Sequence, residues 1–154
     1  MADQLIPVRI VGLMPAEAGV AVFIGNETKT FSIHVDNGVG TAIALLLRGE
    51  KRERPLTHDL IRLIFQAFSI SVERIVINDL KDDTYYARIS LKAANEIHKK
   101  FTEIDARPSD CLAISLEMKR PIYVAQKVWD QVSDISPLLE KMKENLEEGE
   151  TDDD

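Results

Sequence analysis

Two short stretches and one isolated aspartate carry side chains that could act on a phosphate ester. Arg54-Pro55-Leu56-Thr57-His58-Asp59 comes first and Asp105-Ala106-Arg107-Pro108-Ser109-Asp110 follows, with Asp36 before both. Histidine takes and gives protons near neutral pH, so His58 is a candidate general acid or base. An arginine fork matches a phosphate, which makes Arg54 and Arg107 candidate substrate ligands, with Ser109 beside them at a helix start. Carboxylates next to a phosphate can hold magnesium or manganese. Asp105 and Asp110 are the candidate metal ligands, and Asp59 is a third. His58, Asp59 and Asp105 are then the catalytic candidates of a metal-assisted phosphodiester hydrolysis.

The same residues also have structural readings. Asp36 and Asp105 can bond their own backbone in turns. Thr57 suits a helix N-cap, while Asp59 and Asp110 suit first helical turns, where a negative charge complements the dipole. Asp59 can pair with Arg62 on its own helix, and Arg107 can bridge Asp105 or Asp110.

Other motifs are weaker. His98-x-Lys100, with Asp105 five residues on, has the spacing of a phospholipase D-type nuclease box but lacks its continuation and a second copy. Asp105 with Glu117-x-Lys119 imitates a restriction-type nuclease core, but its Glu-x-Lys falls on a helix. There is no Walker loop, dinucleotide fingerprint, zinc spacing or nucleophile elbow. Cys111 falls inside a buried helix and reads as core.

The elements must bring these residues together. Strands are expected over 4–13, 19–24, 29–35, 72–77, 84–91, 98–104 and 121–125. Helices are expected over 41–48, 56–69, 108–119 and 136–148, with a helical turn over 127–132. The first helix is apolar nearly all round, as in a buried helix. In the second, Leu60, Ile61, Ile64, Phe65 and Phe68 form the stripe expected to face the core. His58, Arg62 and Gln66 step along its polar face. Asp36-Asn37-Gly38 and Asp105 each break a strand. Laying Val35-Asp36 on Ile104-Asp105, an offset of 69, matches the following helices without gaps. The order strand-strand-strand-helix therefore occurs twice, which predicts an α+β fold of duplicated β-β-β-α units with a largely antiparallel sheet packed against helices.

Length and composition bound the rest. A chain of 154 residues makes one domain, here 1–132 with halves of about 4–69 and 70–132. Residues 133–154 form a C-terminal helix and an acidic frayed tail. The net charge is 19 − 26 = −7. Residues 144–154 hold seven of the acids and no base, so the remaining chain carries 19 of each sign. The acidity belongs to the tail. Arg48, Lys51, Arg52 and Arg54 form a basic loop that reads as a solvated linker or as a phosphate-facing patch. At 6% aromatic residues, stacking platforms for single strands are scarce. The longest apolar run, Ala42 to Leu47, is far short of the ~20 residues that span a membrane, so no membrane partner is expected. With no signal-peptide pattern at the start and a lone cysteine, the expected compartment is the cytoplasm.

Arg54-Pro55-Leu56-Thr57-His58-Asp59-Leu60, Asp105 to Asp110 and Pro121-Ile122-Tyr123-Val124-Ala125 stand in an order and spacing that resemble the bifunctional nuclease family. Val11-Gly12-Leu13, Val22-Phe23-Ile24 and Ala42-Ile43-Ala44-Leu45 fit as well, so the resemblance covers about residues 5–132. Cys111 departs from the alanine more usual there. The resemblance implies an α+β domain with duplicated halves and, from plant members, nuclease activity on RNA and DNA. The residue roles above come from chemistry on these motifs. A noncatalytic reading stands beside it, a protein-interaction or nucleotide-sensing module whose polar motifs are caps and ion pairs. Sheet edges left to cover make a homo-oligomer plausible.

Overall fold

The computed structural model describes residues 4–151. Its first half runs β1 (Leu5–Ala16), β2 (Gly19–Gly25), β3 (Thr30–Val35), α1 (Asn37–Arg48) and α2 (Thr57–Ala67). The second runs β4 (Ile70–Lys81), β5 (Thr84–Ala94), β6 (Lys99–Ala106), α3 (Pro108–Met118), β7 (Ile122–Ala125), α4 (Gln126–Gln131) and α5 (Ser136–Thr151). The architecture is mixed α+β, as the element pattern predicts.

One seven-stranded sheet has the order β3-β2-β1-β7-β4-β5-β6. Two meanders, β1-β2-β3 and β4-β5-β6, flank the short β7. All pairings are antiparallel except β4 with β7. Because β1 is antiparallel and β4 parallel to β7, the meanders run in opposite senses, and each is followed by a helix. The β4-β5 hairpin closes through Asp82 and Asp83, both at positive φ (49° and 62°), as a tight two-residue turn demands.

Burial follows strand position. In β3, Phe31, Ile33 and Val35 are buried while Ser32 and His34 face out, the period of a half-buried strand. In β4, beside the central β7, Ile75, Val76 and Ile77 are all buried. The edge strand β6 is exposed along nearly its whole length. The sheet curls strongly, so Phe31 of β3 meets Tyr85 of β5 at a centroid distance of 5.8 Å although four strands lie between them. Trp129 of α4 sets its ring edgewise to Phe31 at 6.3 Å and closes the core.

Several sequence expectations need correction. The helix buried all round is α3, whose Cys111, Leu112 and Ala113 are 0% exposed, and not α1, which buries only Val39, Gly40 and Ile43. Helix α3 lies between α1 and α2 and so has neighbours on more sides. Helix α1 starts at Asn37, four residues early, because the Asp36 carboxylate accepts the Val39 N–H at 3.0 Å and makes the apparent breaker an N-cap. At α2 the N-cap position is Leu56 and not Thr57, with the Asp59 carboxylate accepting the Leu56 N–H at 2.8 Å. Asp105 ends no strand. It lies within β6, opposite Arg88, and the chain turns one residue after Ala106, with Arg107 at the cap position of α3. The two helix caps, Asp36 and Arg107, are therefore 107 − 36 = 71 residues apart, two out of step with the alignment at 69.

The largest difference concerns α2. His58, assigned to its polar face, is buried together with Asp59. Leu60, Ile64 and Phe68 of the stripe assigned to the core are 52%, 45% and 73% exposed. Ile61 and Phe65 alone of that stripe pack on the body. No helix among the described residues is long and apolar enough to cross a membrane.

Gly40 is where α1 sits on β2. A Cβ there would lie 2.6 Å from Cγ2 and 2.9 Å from Cβ of Val20, and the latter atom is fixed to the backbone of β2. Gly40→Ala is expected to destabilise the fold by about 1–3 kcal/mol, as overpacking does, read as a lower thermal midpoint.

Candidate functional site

The first turns of α1, α2 and α3 converge. A helix start leaves N–H groups unpaired and carries the positive end of the dipole, so acceptors and anions collect there. Three elements supply one chain of contacts. His58 of α2 places Nε2 3.0 Å from Oδ1 of Asp110 in the first turn of α3. Arg107 donates from Nε to the other Asp110 oxygen at 2.9 Å. Its Nη1 reaches Oδ2 of Asp36, the α1 cap, at 3.5 Å. The order is His58–Asp110–Arg107–Asp36.

Burial is graded along this relay. His58 is 7% exposed, whereas the Arg107 side chain is 63% exposed. A cleft of ≈ 610 Å³ opens beside it, lined by Gly38, Val39 and Thr41 of α1, by Pro55 to His58, and by Asp36, Arg107 and Asp110. Burial alone would raise the Asp110 carboxyl, but hydrogen bonds and charge from Arg107 and His58 outweigh it and hold the group below the usual carboxylate range. A second cleft of ≈ 560 Å³, with His34, Asp83, Tyr85 and Ser109 on its walls, shares Asp36 and Arg107 with the first.

Asp59 belongs to a different network. Its carboxylate takes the Arg52 guanidinium in a two-pronged pair, Nε to Oδ2 at 2.6 Å, as well as the Leu56 N–H. Arg52 also faces Glu117 of α3 at 3.6 Å, and Arg62 donates to Glu117 at 2.7 Å. The Asp59 and Glu117 side chains are 6% and 5% exposed. The Arg52 hydrogen bond holds the Asp59 carboxyl far below its ordinary value against the opposing effect of burial. Asp59 therefore pairs with Arg52 and not with Arg62, and the group ties the basic loop and α2 to α3.

The remaining candidates are scattered. Asp105 is exposed on β6, lines neither cleft and makes no ion pair among the described residues. Arg54 is exposed and likewise unpaired among them. Ser109 is buried beside the second cleft. Burial, aided by Asp110 and Asp105, pushes the Cys111 thiol up to about 12, which leaves it an inert core group.

A model of the bifunctional nuclease domain matches residues 22–136, from inside β2 to the first residue of α5. The chain belongs to this family. An uncharacterized protein of Mycobacterium tuberculosis, found in two strains, is 36% identical over 112 residues, which are 73% of this chain and 64% of the relative. A protein named bifunctional nuclease 1 from Oryza sativa subsp. japonica is 28% identical over 83 residues, 53% of this chain and 24% of the rice protein. The chain thus spans less than two thirds of the mycobacterial relative and about a quarter of the rice one. The family match contains all of the relay and the whole Arg52 network.

Among the described residues, no group of three or more His, Cys, Asp or Glu side chains gathers where it could hold a divalent cation. Both Asp110 oxygens and both Asp59 oxygens are already engaged, and Asp105 stands outside the relay. The donor set does not fit a bound magnesium or manganese ion. Sequence reasoning missed Arg52 and Glu117 as site residues. In the sequence Arg52 is one of several basic residues of its loop, and Glu117 stands in a Glu-x-Lys that falls on a helix. Neither spacing nor periodicity links them to Asp59.

Asp59→Asn is expected to lower stability at neutral pH by about 3 kcal/mol, the usual cost of breaking a buried pair. The Asp59 pKa is depressed in the fold, so its contribution is present above the unfolded value near 4 and is lost as pH falls below it. Denaturant melts across pH should show the gap between wild type and variant widest near neutrality and closing in acid.

Proposed function

We propose that this domain hydrolyses phosphodiester bonds of RNA and DNA in the cleft where the three helices start. The supporting observation is the relay, a buried histidine held by a carboxylate that is itself held by an exposed arginine, beside a cleft flanked by helix N-termini. Family membership supports a nuclease-like role.

Each residue has a part. Asp110 bonds one ring nitrogen of His58 and so fixes the ring and its tautomer. The other nitrogen takes a proton from water, whose oxygen forms the new bond to phosphorus. The bond from phosphorus to the leaving sugar oxygen breaks, and that oxygen is protonated by solvent. Arg107 leaves its carboxylates to fork onto the phosphate, which offers the same bidentate geometry with more charge. Arg54, exposed and next in the chain to Pro55 of the cleft wall, adds attraction for the backbone. Asp59 holds α2 in place from below. No step requires a bound metal. The reaction is assigned to the cytoplasm, consistent with one reduced, buried cysteine.

The relay also fits the noncatalytic reading, because every charge in it already has a partner and Asp36 and Asp110 complement helix starts. Cleavage of plasmid DNA and structured RNA by wild type, Arg107→Ala and His58→Gln, with chelator and with added magnesium or manganese, separates the two. Cleavage that survives chelator and falls by about 10²-fold or more in both variants is expected, with a melt of the exposed Arg107 variant close to wild type. Equal cleavage in all three, or none in any, makes the relay an architectural tie.

A further inference from the structure

An open edge strand offers a row of N–H and C=O groups to any chain that can pair with it, so proteins cover, bend or shorten such edges. The two edges of this sheet, β3 and β6, differ in this respect. At β3 the segment before α5 covers the start of the strand. Asp134 accepts the Thr30 N–H at 3.0 Å, and the Ile135 N–H bonds the Thr30 carbonyl at 2.8 Å. At β6 no such cover exists. The strand keeps one register with β5 over eight residues, without proline or bulge, and Lys99 to Asp105 are all exposed. Among the described residues, no backbone group of β6 bonds anything beyond β5. Its exposed side chains include Phe101 and Ile104.

Antiparallel pairing turns alternate residues towards and away from a neighbour. Where the β5-β6 hairpin turns, the Asn95 N–H bonds the His98 carbonyl at 2.9 Å, and the Ala94 N–H is directed away from β6, to the Ser69 carbonyl at 3.4 Å. Counted from there, Lys100, Thr102 and Ile104 bond β5, while Lys99, Phe101, Glu103 and Asp105 present their backbone groups to the open side. The strand reads Lys-Lys-Phe-Thr-Glu-Ile-Asp-Ala, basic at its start and acidic at its end. Such a strand attracts a reversed copy of itself. Lys99 and Asp105 are both exposed and have no ion pair among the described residues.

We propose that two copies of this chain join antiparallel through β6 about a two-fold axis at Thr102, so that two sheets become one. The axis between such strands stands perpendicular to the sheet, so opposed residues come from the same face and lie an even number of positions apart. Centred on Thr102, the register sets Lys99 against Asp105 twice, and Phe101 against Glu103. These are the residues with outward backbone groups, so the open N–H and C=O groups are paired across the seam. On the other face the stem of Lys100 lies over Ile104. The neighbouring registers are worse. Centred on Glu103, two glutamates oppose each other. Centred on Phe101, Ile104 and Asp105 run past the end of the partner strand. Asp105, which stands outside the relay, gains a partner in this arrangement.

The test uses the full chain and no substrate, so it is independent of any cleavage result. Sedimentation equilibrium over a concentration series is expected to show a dimer. Asp105→Lys and Lys99→Asp should each raise its dissociation constant about tenfold, because each sets two like-charge pairs across the seam. The double variant restores both attractions and should return the constant close to that of wild type. Phe101→Pro should abolish the dimer and spare the fold, since its N–H faces the open side, where an edge strand tolerates proline. Under mild oxidation Thr102→Cys should cross-link to its own copy. A residue on the axis opposes itself at a position without hydrogen bonds, where Cα atoms lie about 4.5 Å apart, within disulfide reach. Cys111 is buried and does not compete. A chain that stays monomeric at all concentrations overturns the proposal. So does a dimer that Phe101→Pro leaves intact, or a double charge variant as weak as the single ones. Circular dichroism melts identify any variant that fails to fold, and if Phe101→Pro does so, the exposed charge pair carries the test.

Discussion

The starts of α1, α2 and α3 meet at one cleft, and each brings unpaired N–H groups and the positive end of a dipole. Unanswered, three such ends would repel one another and leave donors without acceptors. Asp36 and Asp59 each accept a backbone N–H at their helix starts, and Asp110 sets a negative charge in the first turn of α3. Arg107 then ties two of these carboxylates together, Arg52 neutralises the third, and His58 is drawn into contact with Asp110. The polar chemistry of the molecule follows from this packing problem.

The two networks share one strategy and differ in access. In one, Arg52, Asp59, Glu117 and Arg62 are sunk between the basic loop, α2 and α3, with the acids nearly closed to water. Such a cluster earns its place by geometry, since removing one partner strands a buried charge. In the other, Arg107 is open and its bond to Asp36 is long at 3.5 Å. An exposed pair of this kind contributes little to stability and exchanges readily. A phosphate ligand would find the second network adjustable and the first rigid, which is the division of labour a binding cleft needs.

The sheet explains why the helices converge. Two meanders of opposite sense flank β7, and each hands its chain to a helix where its third strand ends. The curl that brings β3 towards β5 also brings the ends of β3 and β6 together, and Asp36 and Arg107 follow those ends. Pro108, with its missing N–H, and the Asp36 carboxylate start their helices within a residue or two of the strand, so there is little slack for the polar groups to drift apart.

The sequence alone determined the element order, the α+β class, the antiparallel hairpins and the two motif stretches. These are local properties, set by alternation, turn chemistry and proline placement. It also resembled the right family, because short motifs survive in the letters. Only the tertiary structure decided that His58 meets Asp110, 52 residues away, that Asp59 binds Arg52, and that Asp105 stands aside from the relay. The physical reason is that an ion pair between distant elements depends on crossing angles and burial, which spacing does not encode. Helix α2 shows the same limit. Periodicity reported its apolar residues correctly, but they form a broad arc, and packing against α3 and β4 turned only the Ile61–Phe65 edge of it, with His58 and Asp59, towards the body.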